Sequence, residues 1–443
     1  MLTPPKTPAP QFSNNRPQDQ PIYARLRSAC YFGSLLVLCA ALTSSCALLG
    51  VKKQVKEINA HGVIALEVSN LSKTATNYAL ALSKNAKGTN EMVGFQVIGE
   101  DGLAIFLLRQ NRTYAAGAFA DLNGNGMYDS NEPAQLKRDL HPTPLSNIRE
   151  RAKPIRLALS LTNDLPRGPT IALPRENPEL GEALPIALGE IADLDLPKFS
   201  SAAGESGMWK PFEFILNYGI GVYFLEPYTP GKTPVIFVYG ISGSAQDWRK
   251  ILEKIDREKY QPWLFQYPSG MRLDKSANAL SSAILLLKQR HGFNRLDVVA
   301  HSMGGLVSRG AIQRTISLTG TNFIPHFITI STPWGGHQAA ELAVKHLSFP
   351  VPSWRDMAPG SDYQKDILSR PLPAGTQHDM LFSYKSSGGF GLPDENDGVV
   401  SVPSQLLPQV QDVAASVLGV YEGHMGILNS PITLQRIESS LAH

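Results

Sequence analysis

The chain is most tightly constrained by a short stretch past its middle, RLDVVAHSMGGLVSRGAIQR (295–314). An apolar run suited to a strand buried on both faces breaks at His301-Ser302-Met303-Gly304-Gly305, and a helical pattern follows. Strand and helix nearly touch across such a turn, so the flanking residues must be small. Ala300-His301-Ser302-Met303-Gly304 meets that demand, with one extra methyl where glycine commonly stands. A serine can also sit at an ordinary helix N-cap. The buried strand before it and the helix after it are the context in which Ser302 reads as a nucleophile.

The flanking sequence repeats the alternation. PVIFVYG (234–240) is a continuous apolar run, ISGSAQDWRKIL a loop and helix, YQPWLFQYPSG a strand, LDKSANALSSAILLLKQRHG a helix and FIPHFITISTP another strand. Strands alternating with helices predict an α/β fold, a mostly parallel sheet flanked by helices. An oxyanion hole then needs the N–H of Met303 and one from the loop after PVIFVYG, for which Ile241 is the candidate. The acid should follow a strand beyond Ser302, and the histidine should come last. NDGVVSVPS follows the strand-like LFSYKS and puts Asp397 at the sheet edge, with Asp394 as the fallback. His61, His141 and His291 precede Ser302, and His301 adjoins it and is expected to point elsewhere. His326 lies in a strand, His337, His346 and His378 precede the acid, and His443 is terminal. His424, in the Gly-flanked YEGHMGIL, remains.

AHSMGG, STPWGG, NDGVVS and GHMGIL together carry a resemblance. Residues 207–443 resemble bacterial α/β-hydrolases of the lipase and esterase group, nearest the GPI inositol-deacylase-like branch. The resemblance implies that Ser302 attacks an acyl carbonyl, His424 takes and returns the proton, and Asp397 holds the imidazole. It implies a small-molecule or lipid ester as substrate and no cofactor for catalysis. The same triad also serves amidases and acyltransferases, and a non-catalytic binding lipoprotein is the reading from another class. Relatives carry His-Gly where this chain has Tyr239-Gly240. KHLSFPVPSWRDMAPGSDYQKDILSRPLP (345–373) has the position of a cap or lid. Its Phe349, Val351, Trp354 and Met357 form an apolar set able to receive an acyl chain or simply to pack down.

Upstream, GVIALEV, NYALALS, MVGFQVIG, LAIFLLRQ and TYAAGAFA alternate as strands and predict a small β-sandwich-like domain over residues 46–162. The last strand runs into DLNGNGMYDSNE (121–132), which fits the D-x-[DN]-x-[DN]-G-x5-E pattern of a calcium loop. Asp121, Asn123, Asn125, the Met127 carbonyl, Asp129 and Glu132 would supply the oxygens of a structural calcium. Pro133 stands where an EF-hand's exit helix would start, and the segment resembles loops on extracellular bacterial β domains. An Asn/Gly-rich turn without an ion is the plainer alternative. Residues 163–206 are proline-dense and read as a linker with one short helix around Ile186–Ile191.

All three cysteines, Cys30, Cys39 and Cys46, lie near the N-terminus, which excludes a disulfide framework in the rest of the chain. Residues 1–24 are rich in Pro, Gln and Asn and read as a disordered leader. Arg25 and Arg27 then precede CYFGSLLVLCAAL, which closes on Thr43-Ser44-Ser45-Cys46. This is the layout of an export signal over residues 1–45, and it resembles a lipobox in which Cys46 takes lipid. Lipoboxes carry Leu three positions before the Cys, whereas Thr43 stands here. Ordinary cleavage and an uncleaved anchor are the alternatives. The expected location is a membrane-anchored lipoprotein, at the outer membrane by Ala47 after the Cys. With 41 basic and 38 acidic side chains the formal net charge is +3, too small a field to favour nucleic acid.

Overall fold

The structure, a computed structural model, describes residues 49–442 apart from 85–87, 89, 99–101, 126, 145–153, 162–164, 166–185, 348–349 and 387–394. The export segment and Cys46, most of the proline-dense stretch, Phe349 and Asp394 lie outside the described residues. Among the described residues no helix is long and apolar enough to cross a membrane.

Residues 49–59 form a helix. Eight strands follow: β1 (His61–Ser69), β2 (Thr76–Lys84), β3 (Asn90–Val97), β4 (Leu103–Arg109), β5 (Tyr114–Asp121), β6 (Ala134–Leu140), β7 (Thr143–Pro144) and β8 (Ile155–Ala158). They make two sheets, β4-β1-β7 with β8 also on β1, and β3-β2-β5-β6. Period-two alternation turns Ile64, Leu66, Val68, Phe106 and Leu108 of one sheet toward Ala79, Ala81, Ala116 and Ala118 of the other. Small residues on one inner face and large ones on the other let the sandwich close. The opposite face of β1 and β4 packs Val63 and Leu107 with Ile58, Phe214, Ile215 and Met271, joining the sandwich to the C-terminal half.

That half is built on β9 (Ile186–Ile191), β10 (Ile220–Phe224), β11 (Thr233–Val238), β12 (Tyr260–Gln266), β13 (Asp297–His301), β14 (His326–Ile330), β15 (Gln377–Ser383) and β16 (Ser416–Val420). The sheet order is β16-β15-β14-β13-β11-β12-β10-β9, parallel except for the antiparallel pairing of β10 with β12. Apolar side chains cover both faces. Val238, Val298, Ala300, Leu306 and Ile312 belong to one core, and Phe237, Val299, Ile328, Ile330 and Leu381 to the other. Helices Leu273–His291 and Met303–Thr319 pack together over the first face.

Two expectations for the proline-dense stretch are corrected. Ile186–Ile191 is a strand, because its main chain pairs in parallel with β10 and completes the sheet edge. SAAGESGMW, partly read as linker, is the helix Ser201–Trp209, capped where the Ala203 N–H donates to Ser200 Oγ. Composition marked the prolines; tertiary pairing used the residues between them.

Candidate active site

The chain reverses at Ser302 with φ 54° and ψ −130°, outside the regions an L-residue prefers. Such a residue costs on the order of 1–3 kcal/mol and persists only where its surroundings hold it. Here the Ser302 N–H donates to the Ile330 carbonyl on β14 (2.8 Å). A Cβ on Gly304 would lie 2.3 Å from the Val238 carbonyl oxygen, so helix and sheet meet backbone to backbone. That contact is why the position must be glycine.

Two side chains distant in sequence converge on this turn. Ser302 Oγ–H donates to His424 Nε2 (2.9 Å), and His424 Nδ1–H donates to Asp397 Oδ2 (2.7 Å). Asp397 is 1% exposed. Its Oδ2 also accepts from Ser383 Oγ (2.5 Å) and Gln405 Nε2 (3.3 Å), and its Oδ1 from the N–H groups of Val399 (3.0 Å) and Val400 (2.7 Å). Burial alone would raise this carboxyl, but the hydrogen bond and charge of His424, with the Ser383 and Val400 donors, hold it below the usual carboxylate range. Ser383 donates to the carboxylate, so Ser331 Oγ–H must donate to Ser383 Oγ (2.6 Å). Gln405 brackets Ser383, accepting its N–H (3.0 Å) and donating to its carbonyl (2.9 Å).

His424 follows β16 and is fixed twice through its main chain. Its N–H donates to the Asp397 carbonyl (3.0 Å), and its own carbonyl accepts from His301 Nε2 (2.9 Å). His301, expected to point elsewhere, therefore braces the loop of His424 from behind. Burial pushes His301 down to about 3, and burial likewise lowers His337. Both shifts work against a positive charge beside His424. Ser383, Gln405 and the bracing role of His301 had no signal in the sequence, because no spacing rule links them to Asp397.

Met303 opens its helix, so its N–H has no acceptor within that helix. Gly240 abuts Ser302 so closely that a Cβ would lie 2.7 Å from Ser302 Cβ, which brings the neighbouring Ile241 beside Ser302. Beneath this loop Tyr239 and Tyr267 stack at 4.8 Å and bond each other's main chain. Tyr239 O–H donates to the Tyr267 carbonyl (2.5 Å), Tyr267 O–H to the Tyr239 carbonyl (2.7 Å), and the Tyr267 N–H to Tyr239 Oη (2.8 Å). Burial raises both phenols, keeping them neutral donors. The tyrosine found in place of histidine thus has a full set of partners below the loop.

The oxygen-rich loop after β5 is organised differently. Asp121 Oδ1 accepts from the N–H groups of Gly124 (2.8 Å) and Asn125 (3.2 Å). Glu132, fully buried, accepts from Leu122 N–H (2.7 Å) and Asp129 N–H (2.9 Å). Asn123 Oδ1 accepts from Asn125 N–H and Asn125 Oδ1 from Met127 N–H, while both Asn amides donate to Asp129 Oδ2 (2.7 and 2.9 Å). Among the described residues no group of three or more His, Cys, Asp or Glu side chains is gathered as a metal site. The donor set is all hard oxygen, the chemistry calcium takes. Turning the two amides about their last bond would present oxygen where nitrogen now faces Asp129.

The sheet order, the strained serine between β13 and its helix, and the acid and histidine after β15 and β16 together decide the fold. The C-terminal half is an α/β-hydrolase. Residues 232–356, from β11 through Ser302 to the cap segment, match the family described as "Putative serine esterase (DUF676)". No curated protein matches the chain. Among solved structures, the α/β-hydrolase resembles Bacillus licheniformis lipase BlEst2 in mature form at 20% identity and TM-score 0.40, over 49% of this chain and 96% of that one. It also resembles Aspergillus fumigatus lipase B at 16% identity and TM-score 0.39, over 50% and 56%. Legionella pneumophila phospholipase PlaB is similar over 40% and 45%, at 19% identity and TM-score 0.31. At such identities and scores the fold assignment rests on sheet order and site geometry, and the likeness adds no weight.

Proposed function

We propose that the α/β-hydrolase cleaves carboxylic esters, acyl or lipid, with Ser302 as nucleophile, His424 as general base and acid, and Asp397 as the group that orients it. The observation that carries this reading is the unbroken hydrogen-bonded line from Ser302 Oγ through His424 to a buried carboxylate. As Ser302 Oγ bonds to the acyl carbon, its proton passes to His424 Nε2 and the carbonyl oxygen becomes an oxyanion facing the N–H groups of Met303 and Ile241. Collapse breaks the ester bond, and His424 gives the proton to the departing alkoxide. Water then repeats the sequence on the acyl-enzyme. The serine-esterase family match over residues 232–356, which include Ser302 and Ile241, supports this reading. A fluorophosphonate probe should label the purified protein, and labelling that persists in Ser302→Ala would count against the assignment.

Two further roles belong to this proposal. The Asp121–Glu132 loop would hold one structural calcium through its side-chain oxygens and the Met127 carbonyl, tying β5 to β6. Export with lipid on Cys46 would anchor the enzyme at a membrane, a reading supported by the charged, apolar and small-residue order of residues 25–46. Labelled palmitate should enter the wild type and not Cys46→Ser.

A further inference from the structure

The helix Ser201–Trp209 is seated against the loop that carries Ile241. A Cβ on Gly204 would lie 2.4 Å from the Gly243 carbonyl oxygen and 2.7 Å from that of Ser242. Only a residue without a side chain permits this contact. Ser242 Oγ–H donates to Met208 Sδ (2.8 Å), and the Gly270 N–H donates to the Gly207 carbonyl (3.0 Å). A helix outside the core hydrolase pattern is thus part of the geometry beside the nucleophile.

That helix ends on Trp209, whose ring meets Trp354 edge to face at 5.9 Å. Both indoles are half-buried, and they share a cluster with Ile241 and Leu347 over the buried Met208 and Val351. The cap residues are held from below. Arg272 Nε grips both oxygens of the buried Asp356 (2.9 and 2.8 Å), the Leu273 N–H donates to the same carboxylate (2.7 Å), and the Ser353 N–H donates to the Gly270 carbonyl (3.2 Å). Of the four cap residues singled out in the sequence, Phe349 lies outside the described residues, Val351 and Met357 are buried in packing, and Trp354 keeps a partly open face. The two indoles therefore form a fixed surface continuous with Ile241.

We propose that Trp209 and Trp354 form the apolar wall along which the substrate's acyl chain lies, so that the Ser201–Trp209 helix sets acyl-chain preference. This rests on the ester-hydrolase reading for the reaction, but not for the binding surface. The Ile241 side chain belongs to the same cluster as the two indoles, so an acyl chain whose carbonyl oxygen faces the Ile241 N–H would meet a continuous apolar surface leading to Trp209 and Trp354. Each methylene covered there should raise kcat/KM roughly fourfold until the wall ends.

The experiment is a series of p-nitrophenyl esters from acetate to laurate on wild type, Trp209→Ala, Trp354→Ala and the double variant. Wild type should favour medium chains. Each single variant should lose at least about tenfold on octanoate while acetate stays within about threefold, and the double variant should lose less than the product of the singles. An unchanged octanoate-to-acetate ratio in a variant that keeps its acetate activity overturns the proposal. If Trp209→Ala loses both esters alike, Trp209→Leu, which keeps an apolar body, decides by the same ratio. Binding is read separately in Ser302→Ala by tryptophan fluorescence with decanoate. A response that Trp209→Phe reduces supports the wall even if no ester is turned over, and no response overturns it.

Discussion

Asp397 and Glu132 are both buried carboxylates, yet their partners come from different distances along the chain. Glu132 gives both oxygens to N–H groups of its own loop, at Leu122 and Asp129. Asp397 gives one oxygen to its own turn and the other to side chains of Ser383, Gln405 and His424. The first arrangement shapes a turn and needs nothing beyond it. The second joins the ends of β15 and β16 to the Ser302 turn, so that removing one partner disturbs the others. A local carboxylate organises its own loop; a non-local one ties together turns far apart in the chain.

The largest test of this contrast is in the triad. Ser302→Ala or His424→Ala should lower kcat on a p-nitrophenyl ester by about four to six orders of magnitude, and combining them should cost little more. Asp397→Ala should cost somewhat less, as removal of an orienting group does. Purified Ser302→Ala with activity within about tenfold of wild type would break the comparison at its stronger end. At the other end, Glu132→Ala should leave kcat on acetate unchanged, since its contacts stay inside the loop. Calcium comes next in size. At a hundredfold excess over Kd it should stabilise the β domain by about 2.7 kcal/mol, seen as a raised melting temperature that Asp121→Ala removes. Calorimetry without calcium uptake would reduce the loop to a turn closed on itself. The smallest effect concerns Ser383. Removing its donor in Ser383→Ala should lower kcat about tenfold with KM nearly unchanged, the worth of one hydrogen bond to a charged group. A kcat that does not move would mean that Gln405 and the two backbone donors orient Asp397 by themselves.

Much of the fold is legible in the sequence. The sandwich strands and the parallel sheet follow from periods of two and from unbroken apolar runs, which depend on neighbours in sequence. The Ser302 turn was legible for the same reason, since Ala300 and Gly304 are its local steric requirements. Ile186–Ile191 reads as a short helix in sequence because only a hydrogen-bonding neighbour, β10, distinguishes an edge strand in a proline-dense stretch from a short helix. The cap was legible as an insertion but not as a clamped one, because Arg272 and Asp356 lie 84 positions apart.

The order of residues alone determined a serine between a buried strand and a helix, an acid and a histidine after it in the expected sequence, and an oxygen-rich twelve-residue loop. Each is a local pattern, set by sterics and spacing over a few residues. Tertiary structure decided that Asp397 lies 2.7 Å from His424, that Ser383, Gln405 and His301 hold that pair, and that Trp209 stands beside Trp354. The contacts around Asp397 and His424 exist because parallel strands bring their C-terminal ends to one edge of the sheet, whatever the chain length between them, and Trp209 reaches that edge because its helix is seated on the Ser242–Gly243 loop.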